Sequence, residues 1–205
     1  MTKYGMAVDT NRCTGCNMCS MVCRVGHNLP NGVMYSRAVT EGGDGFRAAG
    51  GSYPDKVQMS FYTLACQHCD DPACVDICPT GASKKREEDG LVVVEAAECI
   101  GCESCIAACP YDGVRVKLDT DPSYPLDFEM GDQRAPKHVG STVEKCTFCA
   151  ELIDAGERPM CIDICPAVAR YFGDLDDPNS EISQVLATRE YTQLLEDQGT
   201  GPNVY

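Results

Sequence analysis

Sixteen cysteines in 205 residues, gathered into four groups of four, leave this chain few ways to fold. The groups are Cys13-Cys16-Cys19-Cys23, Cys66-Cys69-Cys74-Cys78, Cys99-Cys102-Cys105-Cys109 and Cys146-Cys149-Cys161-Cys165. Gaps within a group are two, three or four residues, except for the eleven residues between Cys149 and Cys161. Cysteines spaced so closely suit a shared metal centre better than long cross-links. Disulfide-dense chains are also usually small secreted domains led by a signal peptide. The opening MTKYGMAVDTNRC has no basic start followed by an apolar stretch, so we expect no secretory signal on this chain.

The groups form a repeat. The first and third share the pattern C-x2-C-x2-C-x3-C, and the second and fourth share their flanks, C-x2-C and C-x3-C. VDTNRCTGC (Val8–Cys16) aligns with VEAAECIGC (Val94–Cys102), and PACVDICPTGA (Pro72–Ala82) with PMCIDICPAVA (Pro159–Ala169). A two-motif unit has been duplicated, with insertions of different length between the motifs.

Short elements are expected around the cysteines. Tyr4–Asp9, Leu91–Glu95 and the alternating Val114–Leu118 read as strands. The three-residue gap before Cys23, Cys78, Cys109 and Cys165 puts neighbouring cysteines on one face of a helical turn. Pro79, Pro110 and Pro166 then stop three of those turns, whereas Arg24 follows Cys23. Stretches from about Pro30 to Tyr53, containing EGGDGFRAAGG, and from about Asp119 to Gly140 read as long loops. Ser180–Leu195 reads as a helix capped by Ser180, and the last residues as extended chain.

A four-iron cube needs one thiolate at each of four iron corners. The run C-x2-C-x2-C-x3-C-P is the bacterial ferredoxin signature, whose fourth cysteine serves the other cluster of a pair. Sixteen thiolates match four [4Fe–4S] clusters with none left over. Zinc is the competing metal, but it favours two C-x2-C pairs across a longer spacer. Val75, Ile77, Ile100, Ile106, Ile162 and Ile164 lie between candidate ligands and are expected to form an apolar shell or simply core.

Three stretches then identify a family: CQHCDDPACVDICPTGA (Cys66–Ala82), CIGCESCIAACPY (Cys99–Tyr111) after GLVVV, and KCTFCAELIDAGERPMCIDICP (Lys145–Pro166). Together they resemble the four-cluster electron-transfer subunit of the dimethyl-sulfoxide-reductase family of molybdopterin oxidoreductases. The resemblance runs from about Tyr4 to Gly173, and the ending GTGPNVY is also similar. It implies an α+β fold of two pseudo-symmetric, bacterial-ferredoxin-like lobes with long loop insertions and little regular secondary structure. Residues 1–60 plus 119–172 would form an outer lobe and 61–118 a central one, with 173–205 an acidic tail packed on the lobes or a partner.

The family's ligand sets are crossed. Carried over, they are Cys66, Cys69 and Cys74 with Cys109; Cys99, Cys102 and Cys105 with Cys78; Cys13, Cys16 and Cys19 with Cys165; and Cys146, Cys149 and Cys161 with Cys23. Nitrate-reductase-type relatives replace one cysteine of the third group by tryptophan and hold a three-iron cluster. Here Cys102 and its neighbours are all present, which implies four cubane clusters. The implied partners are a catalytic subunit carrying a molybdenum or tungsten pterin centre and, in many relatives, a membrane subunit that exchanges electrons with quinol. An extracytoplasmic site reached by export with the catalytic subunit is expected, a cytoplasmic one being the alternative.

The remaining features argue for a non-catalytic role. No nucleophile motif, P-loop or Rossmann fingerprint is present. Thirty-one acidic against 17 basic residues give a formal charge of −14, which disfavours nucleic acid. No apolar run is long enough to span a bilayer. His68, between two candidate ligands, is read as a neighbour of a cluster and not a ligand. Lys84-Lys85-Arg86 reads as a solvated charged face, Lys145 as a residue contacting a cluster or the catalytic subunit, and Met18 and Met21 as packing. Asp76 and Asp163 are expected to face outward. The alternatives to a relay subunit are a free-standing polyferredoxin and a structural zinc protein.

Overall fold

The gap between the last two cysteines of each group shapes the backbone as expected. Cys19 and Cys23 both lie in α1 (Met18–Gly26), Cys74 in α2 (Ala73–Asp76) and Cys105 in α3 (Ser104–Ala107). Cys149 immediately precedes α4 (Ala150–Ile153), and Cys161 lies in α5 (Met160–Asp163). The turns that end near Pro79, Pro110 and Pro166 span four residues, whereas α1, with Arg24 in place of proline, continues for nine. In the two C-x2-C-x2-C loops, Gly15 and Gly101 take matching left-handed conformations, φ +66° and +63°. A Cβ at Gly101 would lie 2.0 Å from the Ser141 carbonyl oxygen, so only glycine fits there.

The structure is a computed structural model that describes residues 2–40, 43–44 and 50–205. Its strands are short: β1 (Tyr4–Val8), β2 (Ser36–Thr40), β3 (Gly43–Asp44), β4 (Gly50–Ser52), β5 (Lys56–Gln58), β6 (Phe61–Ala65), β7 (Ser83–Lys85), β8 (Val92–Val94), β9 (Arg115–Lys117), β10 (Val143–Lys145) and β11 (Arg170–Asp174). Strand β1 pairs antiparallel with β11, from Tyr4 opposite Asp174 to Val8 opposite Arg170. Strands β7 and β8 form a hairpin between the second and third cysteine groups. Strands β6 and β9, which bracket that region, pair outward with β2 and β10. Two antiparallel ribbons therefore join residues 61–118 to the flanking segments.

The largest core cluster lies along this junction. Leu91 and Leu118 from the central segment meet Leu29, Phe148, Ile162 and Phe172 from the flanks, together with Cys23, Cys66, Cys146 and Cys161. Phe148 stacks on His68 at 3.8 Å between centroids and meets Phe172 edge-on at 6.1 Å. The small mixed content of helix and strand is the ferredoxin-like α+β type expected.

Several local expectations are corrected. The span 30–53 is not loop throughout, because Ser36–Thr40 pairs along its full length with β6. Of EGGDGFRAAGG (41–51), residues 43–44 and 50–51 lie in β3 and β4, and the rest falls outside the described residues. Residues 119–140 form a long loop without helix or strand. The tail helix α6 (Glu181–Thr188) starts where expected, with Ser180 Oγ accepting from the Ser183 N–H at 3.2 Å. It ends before Leu195 because residues 187–192 are all exposed and have no face to bury. Beyond it the chain returns to β1, where Met6 N–H donates to Asn203 O at 3.0 Å and Tyr205 N–H to Met6 O at 2.9 Å.

Candidate metal centres

Three small cavities are each walled by four cysteines, three from one group and one from another. One is lined by Cys13, Cys16, Cys19 and Cys165, another by Cys23, Cys146, Cys149 and Cys161, and a third by Cys99, Cys102, Cys105 and Cys78. The remaining set, Cys66, Cys69, Cys74 and Cys109, is linked electrostatically. Burial pushes the Cys109 thiol up to about 11, with Cys66 and Cys74 adding to the shift. Burial also raises Cys69, again with Cys66 and Cys74 close enough to contribute. All sixteen cysteines have free thiols.

The sets differ in environment. Burial pushes Cys146 up to about 12, and raises Cys23 and Cys149 strongly, with neighbouring thiols reinforcing each shift. At the other extreme Cys102 is exposed, and hydrogen bonding to the Ser104 side chain and backbone holds it below its ordinary range. For Cys78 burial is the largest single effect and raises the pKa, but several hydrogen bonds, including the Ser83 N–H at 3.3 Å, together outweigh it and the net shift is downward. Three more backbone N–H groups point at sulfur: Val143 to Cys99 and Ala169 to Cys165, each at 3.4 Å, and Phe148 to Cys146 at 3.5 Å. Such bonds favour thiolates and tune bound clusters.

Two arginines that sequence reasoning missed complete this electrostatic frame. Arg115 and Arg170 are buried and donate to Cys74 and Cys161 respectively. Arg115 lies in VRVKL, where alternation points to an inward apolar face, so the pattern hides it. A signal was available: each arginine falls five or six residues after the fourth cysteine of its group.

The buried polar atoms test whether iron–sulfur clusters fit these sites. Arg115 Nη1, Arg170 Nε, Ser20 Oγ and Thr147 Oγ1 are buried with no hydrogen-bond partner among the described residues. Ser20 and Thr147 directly follow Cys19 and Cys146 in the chain. Unpartnered buried donors are costly, and anionic inorganic sulfur would satisfy them. The donor set, thiolates with N–H and cationic neighbours, fits the group.

The three histidines serve the scaffold around these sites. His68 is fully buried: its Nδ1 accepts from the Val92 N–H at 3.1 Å, so Nε2–H donates to Cys146 O at 3.1 Å. Burial, with Lys145 nearby, depresses its pKa well below the usual range, so the ring is neutral and both nitrogens are committed. His27 Nδ1 donates to Cys23 O at 3.0 Å, and its Nε2 lies 3.0 Å from Glu151 Oε1. His27, Glu151 and Cys149 bring ligand-type atoms within 4.8 Å of one another, on the wall of the most buried set. His138 bridges the Glu144 carboxylate and the His27 carbonyl, each at 2.8 Å.

Other side chains depart from expectation. Lys145 is 2% exposed and donates to the carbonyls of Val92 and Cys146, so it cannot meet a partner subunit at the surface. Only Lys84 of the Lys84-Lys85-Arg86 run behaves as a solvated charge. Lys85 donates to Asp70 O at 2.9 Å, and Arg86 ties Asp89 to Asp154 at 2.9 and 2.6 Å. Met18 and Met21 lie on the outward face of α1, 42% and 50% exposed, and do not pack. Ile162 is buried and Val75 and Ile106 are partly so, but Ile77, Ile100 and Ile164 are exposed. Ile77 and Ile164 follow one-turn helices at the surface, whereas Ile100, though exposed, lines the cavity of the Cys99 set. Asp76 and Asp163 are exposed as expected.

Comparison with known proteins decides the family. A model described as a 4Fe-4S dicluster domain matches residues 57–129 and 132–175, and a 4Fe-4S binding domain model matches residues 10–26. The chain is 40% identical to a Halobacterium salinarum protein named as a dimethyl sulfoxide reductase iron-sulfur subunit, covering 100% of this chain and 79% of the relative. It is 36% identical to the arsenate respiratory reductase iron-sulfur subunit of a Shewanella species, covering 99% and 95%. A polysulfide reductase subunit of Wolinella succinogenes is 34% identical, with 99% and 93% covered.

The chain belongs to this family of reductase iron–sulfur subunits. As such an iron–sulfur subunit it is an electron-transfer component of a multi-subunit reductase and not the catalytic one. Among the described residues, no helix of the iron–sulfur subunit is long and apolar enough to cross a membrane.

Proposed function

We propose that this subunit holds four [4Fe–4S] clusters on its crossed cysteine sets and relays single electrons from one end of the molecule to the other. Bound there, each cluster supplies a one-electron redox centre with no bond chemistry. The observation that carries this reading is the crossing itself. Three of the sets surround a cavity, and each of these draws its fourth cysteine from a distant group, as paired ferredoxin sites require.

The neighbourhoods also suggest an order. Cys146 is electrostatically close to Cys66, which brings the two inner sets together across the central junction. Cys16 and Cys102, one in each remaining set, are exposed at the surface. The order is then the Cys13 set, the Cys146 set, the Cys66 set and the Cys99 set, with exposed ends where electrons can enter and leave. The protein's residues space the sites, exclude water from the inner two and aim N–H groups at sulfur.

In this proposal one end meets a catalytic subunit with a molybdenum or tungsten pterin centre, and the other a quinol-linked membrane subunit or a soluble partner. The complex resides outside the cytoplasm after export with the catalytic subunit. Anaerobic purification of the native complex tests these points. A larger molybdenum- or tungsten-containing subunit should co-purify, with about sixteen iron and about sixteen acid-labile sulfide per chain of this subunit. Stoichiometric zinc without sulfide would exclude the clusters. A chain that purifies alone and is fully active with soluble donors is instead a free-standing polyferredoxin. Fractionation of cells from the native host identifies the compartment.

A further inference from the structure

Arg115 and Arg170 each open a strand shortly after the last cysteine of a group. Arg115 opens β9, six residues after Cys109, and Arg170 opens β11, five residues after Cys165. They are 4% and 5% exposed. Arg115 Nη2 donates to Cys74 Sγ at 2.8 Å and to Ser83 Oγ at 3.0 Å. Arg170 Nη2 donates to Cys161 Sγ at 3.5 Å, and its Nη1 to Thr63 Oγ1. Cys74 and Cys161 are the first residues of the near-identical hexapeptides CVDICP and CIDICP.

These cations have unusual company. Their charged neighbours are thiols drawn from two different cysteine sets. Besides Cys74, Arg115 lies close to Cys105 and Cys66. Arg170 faces Cys161 and Cys146 of one set and Cys19 of another. Each keeps one buried N–H, Nη1 of Arg115 and Nε of Arg170, without a partner among the described residues. A buried guanidinium without counter-charge would be strongly destabilising. Sulfur from two adjacent sites is the counter-charge at hand.

We propose that Arg115 and Arg170 are positioning residues, each a fixed positive charge shared by the two iron–sulfur sites of its own half and raising the reduction potential of both. The inference rests on the four-cluster reading. Adding an electron to a site adds negative charge, and a nearby cation in a low-dielectric interior stabilises the reduced form more than the oxidised one. The guanidinium stays protonated wherever the protein is folded, so this contribution does not vary with pH. The site that includes Cys74 or Cys161 receives the direct hydrogen bond and feels the larger effect.

The test is an EPR-monitored redox titration of the intact complex carrying Arg115→Gln, Arg115→Lys, Arg170→Gln or Arg170→Lys, with iron content measured on each. Arg115→Gln should lower the one-electron reduction equilibrium of two of the four centres by tenfold or more, 59 mV per tenfold. Arg170→Gln should do so for the other two, and each lysine variant should recover part of its shift. Variants with a full iron complement and all four centres within threefold of the parent overturn the inference, as does an equal shift of all four.

A substitution that strips iron moves the test to the unsubstituted complex labelled with nitrogen-15 arginine. Pulsed EPR should then detect arginine nitrogen coupled to reduced centres in both halves, and no such coupling overturns the inference. An unsubstituted complex lacking iron and sulfide would instead overturn the four-cluster reading, so the two failures are distinguishable.

Discussion

The cysteine set of Cys23, Cys146, Cys149 and Cys161 and that of Cys78, Cys99, Cys102 and Cys105 occupy nearly opposite environments. In the first set all four residues are buried. Cys23, Cys146 and Cys161 belong to the main core with Phe148 and Phe172, and burial raises the pKa of Cys23 and Cys146. In the second set Cys102 is exposed, Cys78 and Cys99 are half-buried, and the adjacent Ile77 and Ile100 face outward, 50% and 67% exposed. The cysteine pattern does not separate these environments; position relative to the junction of the two halves does. A set at the junction is insulated and needs its metal to displace protons. At the periphery Cys78 and Cys102 are shifted toward thiolate, and the exposed Cys102 side is open to electron exchange.

The sharpest way to break this comparison is to remove one ligand from each set. Cys146→Ser should unfold the junction and leave about half or less of the roughly sixteen iron expected. Cys102→Ser should keep the fold and lose no more than about four iron. Iron analysis and thermal melts on the purified complexes check both, and equal losses would mean that burial is irrelevant to assembly.

The junction can also be loosened without touching a ligand. His68→Phe keeps a ring against Phe148 but leaves the Val92 N–H without its acceptor, while the Cys146 carbonyl keeps only the Lys145 ammonium. One orphaned buried group costs about 1–3 kcal/mol, and a drop of that size is expected in denaturant titrations. Cluster potentials should shift less than they do in the arginine variants, since neither ring nitrogen is free to reach sulfur.

A smaller, pH-dependent effect should appear outside the junction. Burial opposes the charge on His138, but its hydrogen bond to the Glu144 carboxylate prevails and holds its pKa above the usual value. A raised folded-state pKa contributes stability that is complete below the unfolded value of about 6.5 and is lost as pH rises through the folded value. Hydrogen exchange in residues 119–142 should therefore accelerate on the alkaline side of neutrality. His138→Gln should remove that pH dependence.

The smallest effect is expected for Arg86→Ala, which cuts the link between Arg86 and Asp154 across the two segments. Asp154 is half-exposed, so solvent screens the pair, and about 0.5–1 kcal/mol is expected in a double-mutant cycle with Asp154→Ala. A coupling several times larger would show that surface pairing, and not the core, holds the halves together.

Much of the site could be read from the chain alone. The helical turns between third and fourth cysteines, the effect of Pro79, Pro110 and Pro166 on their length, and the Ser180 cap are local matters of sterics and hydrogen bonding. They appear in the structure at the expected positions, although α6 stops at Thr188. Strand Ser36–Thr40 was hidden because its pairing with Phe61–Ala65 comes from beyond an intervening loop. Arg115 was missed, and the burial of Lys145 against the Cys146 carbonyl was not foreseen, because charged side chains are ordinarily solvated and nothing in their neighbours along the chain announces a buried partner.

The sequence by itself determined the number and kind of metal-binding groups and, through the three-residue gap, that a helical turn would separate the last two cysteines of every group. Those properties depend on residues a few positions apart. Only the tertiary structure decided which sets are insulated and which lie at the surface, and that Arg115 and Arg170 are buried against sulfur. Burial is set by partners far away in the chain, as when His68 donates to Cys146 across 78 positions, and no local pattern encodes that distance.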